Sequence, residues 1–198
     1  MATMHYLFFG VLSVAVLAIA RFGNRAIAER NAEADHLTSY TAVSCPATGL
    51  ASRSALRQRI VDIALNEIGV KEATGNNDGA RVEEYLSYTG LGKGYAWCAA
   101  FVSWCYGKAG RDAPRNAWSP ALFPNARCYT KEQIQREAVR PADLFGIYNS
   151  GLRRIDHVGI VRKLENRYIL TVEGNVANRV LSKRRALATV YAFSNWLD

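Results

Sequence analysis

Cys98 to Ala109 reads CAAFVSWCYGKA, apolar on nearly every side of a helix, and Gly110 closes it. A helix without a polar face is a buried one, and a glycine just past the end is a natural stop. This stretch therefore sits in a core that the rest of the chain must cover. Upstream, Gly90 to Gly94 and Gly75-Asn76-Asn77-Asp78-Gly79 read as loops from their turn residues. Val82, Tyr85 and Leu86 mark a short helix between them. Leu56, Ile60, Ile63, Ala64 and Ile68 recur at helical spacing up to Gly69. Downstream, Pro114, Pro120 and Pro124 impose an irregular loop from Arg111 to Tyr129, and Ile134 sits in a short helix. Beyond Pro141 the pattern changes to strands: Asp143 to Tyr148, His157 to Leu164, Arg167 to Val172 and Val190 to Phe193. Glu165-Asn166 is the expected hairpin turn. Helices first and strands later predicts an α+β fold, with N-terminal helices packed on a C-terminal antiparallel sheet.

The chain has 198 residues, enough for one domain and an appendage. Tyr6 to Ala20, YLFFGVLSVAVLAIA, carries no charge and is short for a spanning helix. It suits a signal peptide, with Ala18-Ile19-Ala20 or Ala26-Ile27-Ala28 as the cleavage site, or a membrane anchor through residues 5–20. No Lys or Arg precedes it, whereas Arg21, Arg25 and Arg30 follow it, an order that opposes export. The organisation expected is a signal or anchor over residues 1–20, a tether over 21–53 and a folded domain over 54–198, placed in the periplasm or outside the cell. Four cysteines, Cys45, Cys98, Cys105 and Cys128, are too few for a disulfide scaffold. The net charge of +8 suits a polyanion. However, the basic residues are scattered apart from Lys183-Arg184-Arg185, with neither a basic stripe nor a helix-turn-helix pattern, so nucleic acid is not an expected partner.

The chemistry centres on Cys98, which follows a glycine-containing loop and opens the buried helix. The unpaired N–H groups and positive end of a helix stabilise a thiolate, and the same groups can donate to an oxyanion. Cys105 lies two turns on, about 10 Å along the axis, out of disulfide reach of Cys98. Of three histidines, His5 lies in the apolar N-terminus and His36 in the tether. His157, at the head of the apolar run Val158-Gly159-Ile160-Val161, is then the base that any cysteine mechanism must use. A base needs an orienting group on its other ring nitrogen. A turn at residues 165 and 166 pairs His157 with Gly174 on the returning strand, which leaves Glu173 and Asn175 on either side. Either is placed to accept from the imidazole.

At these residues the sequence resembles the CHAP-type amidase/peptidase family, itself related to the NlpC/P60 and papain-like peptidases. The resemblance rests on WCAAFVSWC (97–105), DHVGIV (156–161) and VEGN (172–175). It extends to EIGVKE (67–72) with NNDG (76–79), and to PADL (141–144), where Ala142 replaces the usual glycine. It implies a papain-like fold and hydrolysis of an amide in bacterial peptidoglycan, with the choice between amidase and endopeptidase open. It implies Cys98 as nucleophile, His157 as base and Glu173 as orienting acid, with Asn175 assisting. Trp97, Asn77 and Trp118 are the positions expected to bind substrate. Some relatives bind calcium through acidic loops before the cysteine. Asn76-Asn77-Asp78 offers one carboxylate, short of such a loop, so no metal or other cofactor is expected. A monomer is expected. The alternatives are a papain-like hydrolase or acyltransferase acting on a protein amide, and an inactive wall-binding relative.

Overall fold

The computed structural model describes residues 47–198. The apolar segment 5–20, Cys45 and most of the stretch read as a tether lie outside the described residues. Helix α1 (Ala47–Asn66) begins inside that stretch, seven residues before the expected start near Ser54. Ile60, Val61 and Ala64 form its buried stripe, while Leu56 and Ile63 pack at the rim. Ile68, expected to continue that stripe, is instead exposed, because the helix has already ended at Asn66. Helix α2 (Ala80–Tyr88) buries Val82, Tyr85 and Leu86, the three residues that marked it. Helix α3 (Cys98–Lys108) is buried from Cys98 to Tyr106. A short α4 (Lys131–Gln135) is closed by a capping box between Thr130 and Gln133. No described helix is long and apolar enough to cross a membrane.

Five antiparallel strands follow: β1 (Leu144–Asn149), β2 (Arg154–Glu165), β3 (Tyr168–Val176), β4 (Arg179–Ala186) and β5 (Ala192–Ser194). Their order across the sheet is β4-β3-β2-β1-β5. The α+β class and the packing of helices on a C-terminal antiparallel sheet are as expected. β4 was not expected as a strand. Its sequence, RVLSKRRA, has too few apolar residues to show alternation, because as an edge strand it carries much of its polar surface to water.

Alternation divides the sheet into two buried faces. Leu144, Val158, Ile160, Val172 and Val180 pack with α1, α2 and α3 in the main core. Phe145, Val161, Ile169 and Phe193 form a second, smaller core with Val139 on the other face. Gly174 lets β3 approach α3 closely, since a Cβ there would lie 2.8 Å from both the Phe101 and the Trp97 side chains. One buried ion pair ties α1 to the start of β1: Arg57 Nη1 donates to Asp143 Oδ1 at 2.7 Å.

The hairpin register differs from the expected one in two places. The turn falls at Asn166-Arg167, since Glu165 pairs with Tyr168, and Arg162 is then an extra residue between Val161↔Thr171 and Lys163↔Leu170. Beyond this bulge the pairs are Val161↔Thr171 and Ile160↔Val172, which continue to Gly159 opposite Glu173. The expected register differs from this by one residue, and a one-residue slip exchanges the faces of a strand. In the observed register Glu173 shares a face with His157. Taken strictly, the expected register turns Glu173 to the other face, so the expectation that it reaches His157 holds only because the register is the observed one. A turn at Asn166-Arg167 without the bulge would also have turned it away, so Arg162 decides the matter.

Candidate active site

Cys98 is the first residue of α3 and is almost completely buried. Trp97 occupies the N-cap position without any side-chain cap, and the first helical bond runs from Phe101 N to Trp97 O. The N–H groups of the first turn are therefore not taken by a capping side chain. The thiol lies 3.4 Å from Ser119 Oγ and 3.9 Å from the Asp156 carbonyl oxygen. Burial pushes the Cys98 pKa up, but the His157 side chain, Ser119 and the Val158 backbone together outweigh it and bring it below the ordinary thiol value.

His157 projects from β2, one residue after a second bulge at Asp156, where the pairing with β1 shifts between Ile147↔His157 and Tyr148↔Ile155. The Asp156 carboxylate is held by the Asn149 amide at 2.6 Å. His157 Nε2 meets Glu173 Oε2 at 2.8 Å, so the remaining ring nitrogen, Nδ1, serves the Cys98 side. Burial opposes the imidazolium, yet Cys98 and Glu173 raise the His157 pKa to about 9. Glu173 is fully buried. Burial alone would raise its pKa; Arg185, His157 and Thr171 lower it to about 2. Gly159 makes this approach feasible, because a Cβ there would lie 2.9 Å from Glu173 Cγ.

The structure brings Cys98, His157 and Glu173 together. Asn175 does not reach the imidazole. Its amide donates to Asn77 Oδ1 at 3.2 Å, and both asparagines have left-handed backbones, at φ 59° and 55°. Trp97 is corrected as a substrate contact. It is fully buried, its indole N–H donates to the buried Glu72 at 2.9 Å, and it packs against Tyr85 and Phe101. Its place is to hold the start of α3. Trp118 is 58% exposed and lines an open groove with Tyr95, Ala96 and Asn116; it is next in the chain to Ser119, whose hydroxyl lies 3.4 Å from the Cys98 thiol. Among the described residues, Cys98, Cys105 and Cys128 form no disulfide with one another. Among the described residues no group of acidic, histidine or cysteine side chains is arranged to hold a metal.

Three contributors escaped the sequence reading. Ser119 lies in the proline-rich loop and has no motif to mark it. Glu72 was noted only as part of a resembling stretch. Its carboxylate joins Trp97 Nε1 to the Asn77 backbone N–H. Arg185 was read as part of a basic run. A strand reading of residues 179–186 would have placed it on one face with Leu181 and Lys183, toward Glu173.

The site is thus a thiol at the start of a buried helix, beside a histidine on an antiparallel sheet with a carboxylate behind it. Residues 90–175 match the CHAP domain family model, over the stretch that carries Cys98, His157 and Glu173. Among solved structures, the P60 domain of an antigen from M. avium paratuberculosis is similar at 14% identity and a TM-score of 0.48, covering 76% of this chain and 99% of that one. The peptidoglycan hydrolase RipB from Mycobacterium tuberculosis is similar at 17% identity and a TM-score of 0.48, covering 75% of this chain and 68% of that one. No curated protein matches the chain.

Proposed function

We propose that the protein is a peptidoglycan hydrolase that cleaves an amide bond by a Cys-His-Glu thiol mechanism. The observation that carries this reading is the Cys98–His157–Glu173 alignment inside the CHAP match. The lowered Cys98 pKa and the raised His157 pKa both favour the thiolate–imidazolium pair over the neutral thiol and imidazole. The thiolate attacks the scissile carbonyl carbon, and its electron pair forms the C–S bond as the carbonyl oxygen becomes an oxyanion. The N–H groups at the start of α3 donate to that oxygen. The oxyanion collapses, the C–N bond breaks, and His157 gives its proton to the departing amine. A water then attacks the thioester, losing its proton to His157, and the thiolate leaves. Glu173 keeps the imidazole oriented and its charged form stable throughout. The exposed groove at Tyr95 and Trp118 is the surface on which the substrate lies. Residues 1–20 export or anchor the domain, which places it outside the cytoplasm, where its substrate is.

Digestion of purified peptidoglycan with mass analysis of the fragments tests the reading. New amine and carboxyl ends at one bond type are expected, and they also separate amidase from endopeptidase. Intact sacculi after incubation with an enzyme whose Cys98 is alkylatable would refute the substrate.

A further inference from the structure

Glu173 makes four hydrogen bonds. Oε2 accepts from His157 Nε2 at 2.8 Å and from Arg185 Nη2 at 2.6 Å. Oε1 accepts from Thr171 Oγ1 at 2.6 Å and from Arg185 Nε at 2.7 Å. A carboxylate offers about four lone-pair directions, and here all are occupied, so the group can neither rotate nor readily take the imidazole proton. Two of the four donors belong to one guanidinium. Arg185 starts opposite Ile169 on β4, runs along the sheet face toward Glu173, and sets its guanidinium 5.5 Å from the centre of the Phe145 ring. Its side chain is only 20% exposed.

The charged groups of this cluster come from four elements: Cys98 from α3, His157 from β2, Glu173 from β3 and Arg185 from β4. Asp156 of β2 turns its carboxylate to Asn149, and Lys183 of β4 contributes only its carbonyl, to Thr171. No other titratable side chain among the described residues bonds to the four. In the reactive state they carry thiolate, imidazolium, carboxylate and guanidinium, two charges of each sign, in a site where unbalanced charge is costly. Without Arg185 the cluster holds one excess negative charge. It sheds that charge by binding a proton, at the sulfur or at Glu173, and either event weakens the thiolate.

We propose that Arg185 is a positioning residue for the thiolate–imidazolium pair: it locks both oxygens of Glu173 and balances the thiolate charge, keeping Cys98 reactive at neutral pH. The inference rests on Cys98 being the reactive thiol of the proposed mechanism. It does not depend on the substrate.

The test is the pH dependence of Cys98 alkylation by iodoacetamide in the full chain, followed on the Cys98 peptide by mass spectrometry. In the unsubstituted protein the reaction persists below the pH range of an ordinary thiol. Arg185→Gln moves the midpoint up by about one unit or more, equal to about a tenfold loss of thiolate on the acid side. Arg185→Lys keeps the charge but loses the two-point grip, so it gives a smaller upward shift. It also serves as the test if the Gln variant does not fold. An unmoved midpoint in a folded Arg185 variant, even with a lowered melting temperature, overturns the proposal by leaving Arg185 only a packing role. An unsubstituted Cys98 that titrates like an ordinary thiol refutes the thiol mechanism itself, and this outcome is distinguishable because it appears before any substitution is made.

Discussion

Glu173→Gln is the substitution that tests the site most directly, since it keeps the shape of the side chain and removes its charge. His157 titrates near 9 instead of 6.5, with burial acting against the shift and Cys98 and Glu173 producing it. Each unit corresponds to about 1.4 kcal/mol, so the site favours the imidazolium by about 3 kcal/mol net of burial. Glu173 is one of two partners that supply this. Its neutralisation leaves burial in place and exposes the imidazolium to an unpaired Arg185, so a fall of more than about one unit is expected. The thiolate loses the same support, and the rate should drop more than about tenfold, or about 1.4 kcal/mol. The assay is kcat/KM against pH on a soluble peptidoglycan fragment. The upper limb, near 9 in the unsubstituted enzyme, should move to lower pH. Asn175→Ala is the control. Its amide is engaged with Asn77, so that limb should stay in place and the loss should be smaller. A Glu173→Gln enzyme with near-normal rate and an upper limb still near 9 would refute the reasoning, as would greater damage from Asn175→Ala.

Cys98→Ala or Cys98→Ser should abolish turnover and leave the melting temperature within a few degrees, whereas Cys105→Ala should retain activity; the reverse pattern would reassign the nucleophile. Gly174→Ala should destabilise by about 1–3 kcal/mol in denaturant unfolding, because the new methyl group meets Phe101 and Trp97 at 2.8 Å. Ala142, at φ 67°, occupies a left-handed backbone that glycine adopts without strain. Ala142→Gly should therefore be neutral or stabilising by up to about 1 kcal/mol, and a loss of more than that would show that the buried methyl group matters more than the backbone. Glu173 titrates near 2 in the fold against 4.5 unperturbed, so its stabilisation is complete above 4.5 and is lost as pH falls toward 2. Acid unfolding followed by circular dichroism should show that dependence in the unsubstituted protein and a weaker one in Glu173→Gln. Residues 1–53 fused to a reporter active only outside the cytoplasm should give signal, and a reporter active only inside would sink the export reading.

Much of this protein could be read from local pattern. The apolar run from Cys98 fixes a buried helix with the thiol at its positive end, because period and composition act within a few turns. The strands of β1, β2, β3 and β5 showed in their apolar alternation, and His157 was legible by elimination. Three things were decided only by tertiary structure. The partner of His157 depends on which face Glu173 takes, and that depends on one extra residue, Arg162, whose bulge no local propensity announces. Trp97 looks like a surface aromatic beside a nucleophile, yet it is buried, because Glu72, far off in sequence, accepts its N–H. Arg185 reads as one member of a basic run. It becomes part of the site only when the edge strand β4 is laid beside β3 and its side chain reaches a buried carboxylate. Short-range pattern specifies elements and their buried faces; which side chains meet across them is set by register and by contacts between residues distant in sequence.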